Sequence, residues 1–258
     1  NFEKSRNKIT RFINFCNMQA TIVIPCYNEA SRLKKEVFLS FFETNDEVDF
    51  LFVNDGSSDD TLVRLQEFSA ESPRVHYLDL QSNGGKAEAV RQGMIYAEQH
   101  FESEYIGFWD ADLATPLFEI RNFMLQMELG NFDMVTGLRL LRLGAKVRRK
   151  RSRHLLGRVF ATVASTLIKL PVYDTQCGAK LYKRKIVPVL FSKPFITKWL
   201  FDVEILFRYK KEFGSDAAIN LVYEYPVMEW ADVDGSQLKM RDFIKAPYEL
   251  YKIKRKYK

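Results

Sequence analysis

Short apolar runs, polar turns and amphipathic stretches follow one another along most of the chain. ATIVIPCYNEA begins with a compact apolar run ending at a proline and polar residues, which predicts a buried strand feeding a loop. VDFLFVNDGSSDDT repeats the plan: a strand, a turn of Asn, Asp, Gly and Ser, then a helix from about Thr61 to Ala70. RVHYLDL predicts a third strand, SNGGKAEAVRQGMIYAEQH a Gly-rich turn and a helix, and YIGFWDADLATP a strand that ends in carboxylates. A helix near Leu117 to Glu128, the strand DMVTGLR, a helix near Leu155 to Lys169, the DTQCGAKLY segment, a helix around Asp202 to Phe213 and the strand NLVYEYPV complete the pattern. Strands alternating with helices imply an α/β fold with a Rossmann-like, mainly parallel central sheet flanked by helices. Its ligands are expected at the C-terminal strand ends.

Composition fits this picture. The chain has 258 residues, 47% hydrophobic and 28% charged, enough for one large domain with its own core. Cys16, Cys26 and Cys177 lie far apart, so neither a disulfide framework nor a zinc site is indicated and a reducing compartment is the default. No window reaches the apolar length of a spanning helix. Nothing near the N-terminus has the pattern of a signal peptide.

Charge changes the picture more. The formal net charge is +6, and the excess is uneven: RLLRLGAKVRRKRSRHLLGR, from Arg139 to Arg158, has no acidic residue, and KMRDFIKAPYELYKIKRKYK is a second basic run. Arg139, Arg148, Arg149, Arg151 and Arg153 are candidate forks for phosphate, either a donor's or one on an acceptor, and such a surface also suits anionic lipid headgroups. Nucleic acid is not expected as a partner, because no helix-turn-helix, zinc finger or RNA-binding aromatic motif accompanies the charge.

The sharpest candidate chemistry follows YIGFW. Asp110 and Asp112 can point from a strand end so that one approaches a divalent ion and the other a ribose or a metal-bound water. Mg²⁺ or Mn²⁺ prefers such oxygen ligands and would neutralise a diphosphate leaving group. Asp55, in NDGSSDD, can accept from a base N–H, while Gly56 permits the turn and Asp59 and Asp60 favour the helix start. Pro25, Tyr27 and Glu29 are placed to line the same crevice, and Lys86 after Gly84 and Gly85 can meet a phosphate at a helix N-terminus. Asp202 is either a helix cap or a site carboxylate, and Glu204 could orient an arginine or acceptor.

Together these segments resemble the inverting family 2 glycosyltransferases of GT-A fold, most closely the dolichyl-phosphate β-glucosyltransferase branch and its prokaryotic polyprenyl-phosphate relatives. The motifs are TIVIPCYNEA, VNDGSSDDT, NGGKAEAVRQGM, DADLATP, DTQCGAKLY, FDVEILF and YEYPVMEWADVDGSQL, spanning about Thr21 to Leu238. The resemblance implies a 1–20 N-terminal extension, a 21–238 GT-A glycosyltransferase domain and a 239–258 basic C-terminal tail. It also implies that Asp55 reads the base, that Pro25, Tyr27, Glu29, Lys86 and Asp110 help to hold the nucleotide, and that Asp110 and Asp112 form the DxD, with Asp112 the better direct metal ligand. Arg139 takes the arginine position of a Gly-Ser-Arg segment, here Gly137-Leu138-Arg139, and Asn54 stands where an Asp is frequent.

The reaction expected is transfer of a hexose, glucose from UDP-glucose, to a dolichyl or polyprenyl phosphate, with Asp112, Arg139 and Asp202 as catalytic candidates. The alternatives are a glycan hydroxyl acceptor, with Asp202 or Glu204 as base, and a GDP-mannose donor. Peripheral association with the cytoplasmic membrane face is expected from the basic segment. The helix that follows it either lies at the interface or is a core element.

Overall fold

In the computed structural model the described residues are 18–148, 151–232 and 240–258, with backbone only at 151–156 and 240–244. The strands are β1 (Ala20–Cys26), β2 (Val48–Asp55), β3 (Val75–Leu80), β4 (Tyr105–Trp109), β5 (Met134–Leu138), β6 (Lys146–Arg148), β7 (Ala179–Lys183), β8 (Val222–Pro226) and β9 (Glu229–Ala231). The helices are α1 (Lys35–Phe42), α2 (Thr61–Glu71), α3 (Lys86–His100), α4 (Glu119–Gly130), α5 (Arg151–Ile168), α6 (Val187–Phe191), α7 (Phe201–Leu221) and α8 (Met240–Lys256).

Seven strands form one sheet in the order β3-β2-β1-β4-β7-β5-β8. Its pairings are parallel except those of β7, which runs antiparallel between β4 and β5. The central strands are rich in Val, Ile and Phe because both faces are covered. Successive side chains point to opposite sides: Val23, Leu51 and Val53 pack with α3, α6 and α7, whereas Ile22, Ile24, Phe50 and Phe52 pack with α1, α2 and α4. Phe38 of α1 meets Phe50 and Phe52 edge-on, each at 5.1 Å between ring centroids. A small second sheet pairs β6 with β9 in parallel.

The antiparallel β7 is the main departure from simple strand–helix alternation, and the DTQCGAKLY pattern alone does not announce it. Alpha-helical residues Phe201–Leu221 bend at Gly214, whose φ is 89°. The C-terminal basic run forms α8 rather than remaining without structure. Its Ala246, Leu250 and Ile253, spaced four and three residues apart, are buried in the core. Helix α5 contributes Ala161, Ala164 and Ile168 to the buried interior while Val159 and Val163 stay exposed. No described helix is long and apolar enough to cross a membrane.

Candidate active site

The C-terminal ends of β1, β2, β4 and β5, with the starts of α3 and α7, surround a crevice of about 640 Å³. Its walls include Pro25, Tyr27, Glu29, Asp55, Lys86, Asp110, Asp112, Arg139 and Asp202, which the sequence singles out from segments far apart in the chain. The loop after β1 is tied to the turn after β2. The Asn28 N–H donates to Ser57 Oγ (3.0 Å), and the Ser58 N–H donates to Asn28 Oδ1 (2.9 Å). The Glu29 N–H donates to Thr61 Oγ1 (2.8 Å) and the Ala30 N–H to Asp59 Oδ2 (3.2 Å). Asp59 thus links the two loops besides receiving the Thr61 N–H at the start of α2. Glu29 itself is buried and paired with Arg32, whose Nε lies 2.8 Å from Oε2.

Asp55 is turned toward the start of α3. Its two oxygens accept the N–H groups of Gly84 and Gly85, each at 2.8 Å. Burial pushes its carboxyl above the ordinary range, and the two amides partly offset that. Gly85 has φ 87°, a conformation that an L side chain would strain. Asp55 therefore fixes the turn that presents Lys86, the first residue of α3. Neighbouring Asn54 donates to Asp79 Oδ1 at 2.7 Å, a bond that its amide supplies in place of a carboxylate.

Lys86 Nζ lies 2.5 Å from Asp110 Oδ1. Burial works against its charge, but Asp110, Asp202 and Asp112 outweigh that and raise its pKa. The Asp110 N–H bonds the Gly178 carbonyl at 2.9 Å, and a Cβ on Gly178 would run into the Asp110 carboxylate. The glycine of DTQCGAK is thus explained by this close approach. Asp112 Oδ1 accepts the Ala114 N–H at 3.0 Å, and burial, then the Asp110 charge, pushes its carboxyl upward.

The donor set fits a hard divalent ion. Asp110 Oδ1 is buried and has no aligned hydrogen-bond donor, its contact with Lys86 being an ion pair. Among the described residues no three His, Cys, Asp or Glu side chains form a complete protein cage. Two carboxylates leave the remaining positions to waters and phosphate oxygens, as Mg²⁺ and Mn²⁺ commonly require.

Across the crevice, charged side chains hold one another. Arg139 Nε and Nη2 donate to the two oxygens of Asp174 at 2.7 and 2.8 Å, and its guanidinium lies 5.3 Å from the Trp230 ring centroid. Burial opposes the guanidinium charge, but Asp174 raises its pKa. Lys180 Nζ donates to Asp202 Oδ1 (2.6 Å) and to the Cys177 carbonyl (2.6 Å), with both side chains almost fully buried. Burial pushes the Asp202 carboxyl up, and Lys180 and Lys86 pull it back in part. Leu200, not Asp202, occupies the N-cap of α7.

Glu204, two residues further on, lies outside the crevice. It accepts the Ile196 N–H (2.7 Å), the Arg208 guanidinium (2.7 Å) and the Tyr257 hydroxyl (2.8 Å) in a buried network. Of the arginines proposed for an acceptor phosphate, Arg139 lines the crevice, whereas Arg148 is exposed on β6 and does not. Arg149 lies outside the described residues, as do the side chains of Arg151 and Arg153 on α5.

Sequence reasoning passes over Asp174, Lys180 and Lys198, the last of which lines the crevice beside Gly85. Lys180 carried a usable signal: a lysine between apolar residues on an inner strand must find a buried partner. Asp174 carried none that spacing could reveal, because its partner is 35 residues away.

The profile of "Glycosyl transferase family 2" matches residues 21–191. "Dolichyl-phosphate beta-glucosyltransferase ALG5A" of Trichomonas vaginalis is 30% identical over 246 residues, which cover 90% of this chain and 72% of that protein. "Dolichyl-phosphate beta-glucosyltransferase" of Dictyostelium discoideum is 28% identical over 237 residues, 86% of this chain and 69% of that one. The crystal structure of Mycobacterium tuberculosis glucosyl-3-phosphoglycerate synthase with Mn²⁺, UDP-glucose and phosphoglyceric acid superposes with TM-score 0.67 at 15% identity, over 94% of this chain and 80% of that one. That likeness shows a common GT-A fold.

Proposed function

The chain belongs to glycosyl transferase family 2, and from that premise we propose that it moves glucose from UDP-glucose to a dolichyl or polyprenyl phosphate, inverting the anomeric carbon. The observation that carries this reading is the meeting of Asp110, Asp112, Lys86 and the Arg139–Asp174 pair in one crevice. That relatives matching most of the chain are dolichyl-phosphate β-glucosyltransferases supports the lipid-phosphate acceptor and the glucose.

In this reaction an acceptor phosphate oxygen bonds to the anomeric carbon as the bond from that carbon to the UDP β-phosphate oxygen breaks, and the electron pair leaves with UDP. Asp110 and Asp112 would hold Mg²⁺ or Mn²⁺, which neutralises charge on the departing diphosphate when bound. Pro25, Tyr27 and Glu29 line the nucleotide side, and Asp55 sets the turn from which Lys86 projects. Arg139, aimed by Asp174, is the cation offered to the acceptor phosphate. That phosphate is already anionic near neutral pH, so no side chain need remove a proton. Asp202, locked to Lys180, then shapes the crevice floor. A hydroxyl acceptor is the second reading, favoured by the upward-shifted Asp202 carboxyl facing the crevice, which could serve as base.

We further place the protein on an anionic, cytoplasmic membrane surface. The exposed Arg148 supports this, as does the outer face of α8. There Tyr248 and Tyr251 are exposed, Lys252 Nζ lies 4.5 Å from the Tyr248 ring centroid, and Lys254, Arg255 and Lys256 fill the last turn.

The test is a product assay with purified protein, Mg²⁺ or Mn²⁺, anionic vesicles carrying short-chain polyprenyl phosphate, and UDP-glucose or GDP-mannose supplied separately. A glucosyl phospholipid with equimolar UDP is expected, and Asp112→Ala should lower the rate by about a thousandfold. The protein should float with the vesicles. Transfer only to a sugar hydroxyl would sink the lipid-phosphate reading and move attention to Asp202.

A further inference from the structure

Lys86 stands where a divalent ion would have to arrive. Its backbone cannot yield easily, because the two preceding N–H groups are held by Asp55 and Gly85 keeps a positive φ. Its side chain can, being 42% exposed at the crevice. The ammonium lies 2.5 Å from Asp110 Oδ1 as an ion pair. Other groups nearby are already committed: Asp202 Oδ1 to Lys180, and Asp112 Oδ1 to the Ala114 N–H.

Resting on the metal- and nucleotide-sugar-dependent reading above, we propose that Lys86 is an internal counter-cation. It pairs with Asp110 in the free protein and passes to the donor diphosphate as the divalent ion takes its place. An ion arriving alone must meet or displace a like charge a few ångströms away, which is costly inside a crevice. A nucleoside diphosphate changes that balance. Its oxygens offer the ammonium a stronger partner at the N-terminus of α3, where backbone dipoles already favour an anion. The ion and the nucleotide therefore bind as a coupled pair, and linkage makes the coupling reciprocal.

The experiment is a Mn²⁺ titration read by the electron paramagnetic resonance signal of free Mn²⁺, with and without UDP, on the wild-type chain, Lys86→Met and Lys86→Arg. Without UDP, Lys86→Met should bind Mn²⁺ about tenfold tighter than wild type, because a like charge has been removed. UDP should strengthen Mn²⁺ binding by about tenfold or more in wild type and Lys86→Arg, and by only a fraction of that in Lys86→Met. Unchanged or weaker Mn²⁺ binding by Lys86→Met without UDP overturns the exchange, as does an undiminished gain on adding UDP. If no protein takes up Mn²⁺ even with UDP, the metal-dependent reading itself fails and the exchange with it. Matching thermal melts establish that each variant is folded.

Discussion

Two carboxylates of the crevice, Asp55 after β2 and Asp112 after β4, are held by backbone amides, whereas on the β5–β7 side charged side chains hold one another. Asp55 accepts the Gly84 and Gly85 N–H groups, and Asp112 accepts that of Ala114. Opposite them, Arg139 is gripped by Asp174 and Lys180 by Asp202. The difference has a consequence for mutation. A carboxylate seated on amides can be removed without stranding a charge, but a buried ion pair cannot lose one member cheaply.

The largest effect that would sharpen this contrast is on stability. Lys180→Met leaves Asp202 buried and unpaired and should cost about 3–5 kcal/mol in urea unfolding. Replacing both, as Lys180→Met with Asp202→Leu, should restore most of that. Asp112→Ala should change the unfolding free energy by only about 0.5 kcal/mol while lowering transfer by about a thousandfold. A Lys180→Met midpoint equal to wild type would break the comparison.

A smaller effect is expected on catalysis. Asp174→Asn removes one charge-assisted bond from Arg139, and transfer should fall about tenfold to hundredfold through misplacement of the guanidinium. The loss should appear mainly with the acceptor, leaving UDP affinity near wild type. Equal losses in both would mean that Asp174 supports the whole crevice rather than aiming Arg139.

The smallest effect concerns pH. Glu224 accepts the Tyr173 and Asp174 N–H groups at 2.7 and 2.6 Å, and burial pushes its carboxyl up. Below the unfolded-state pKa the group is protonated in both states and contributes nothing. As pH rises from the unfolded-state value to the higher folded value, the unfolded chain ionises while burial keeps the native carboxyl protonated, and stability falls. Glu224→Gln should therefore gain relative to wild type from acid to neutral pH, whatever constant offset the lost acceptor introduces. Parallel melting curves at every pH would show that its ionisation does not matter.

Much of the β1–β4 region was legible because its information is local. An apolar run followed by Asn54-Asp55-Gly56 or by Asp110-Ala111-Asp112 states both the strand and its polar end within a dozen residues. The expected strands and helices there are found within a few residues of their reading. The region after Arg139 was less legible. Lys180 and Asp174 gain their partners only when β7 enters the sheet antiparallel between β4 and β5. Asp202 and Glu204, two positions apart and chemically alike, face respectively the crevice and a buried network with Arg208 and Tyr257.

By itself, then, the sequence determined most of the strands and helices, though not α1, β6, α6, β9 or α8, together with the carboxylates at the strand ends and the glycine turn before Lys86, since periodicity and turn chemistry act over a few residues. Tertiary structure alone decided which charges meet. Lys86 with Asp110, Arg139 with Asp174 and Lys180 with Asp202 are pairings across 22 to 35 residues of chain. Coulombic attraction and desolvation act through space, and only the packed sheet sets those distances.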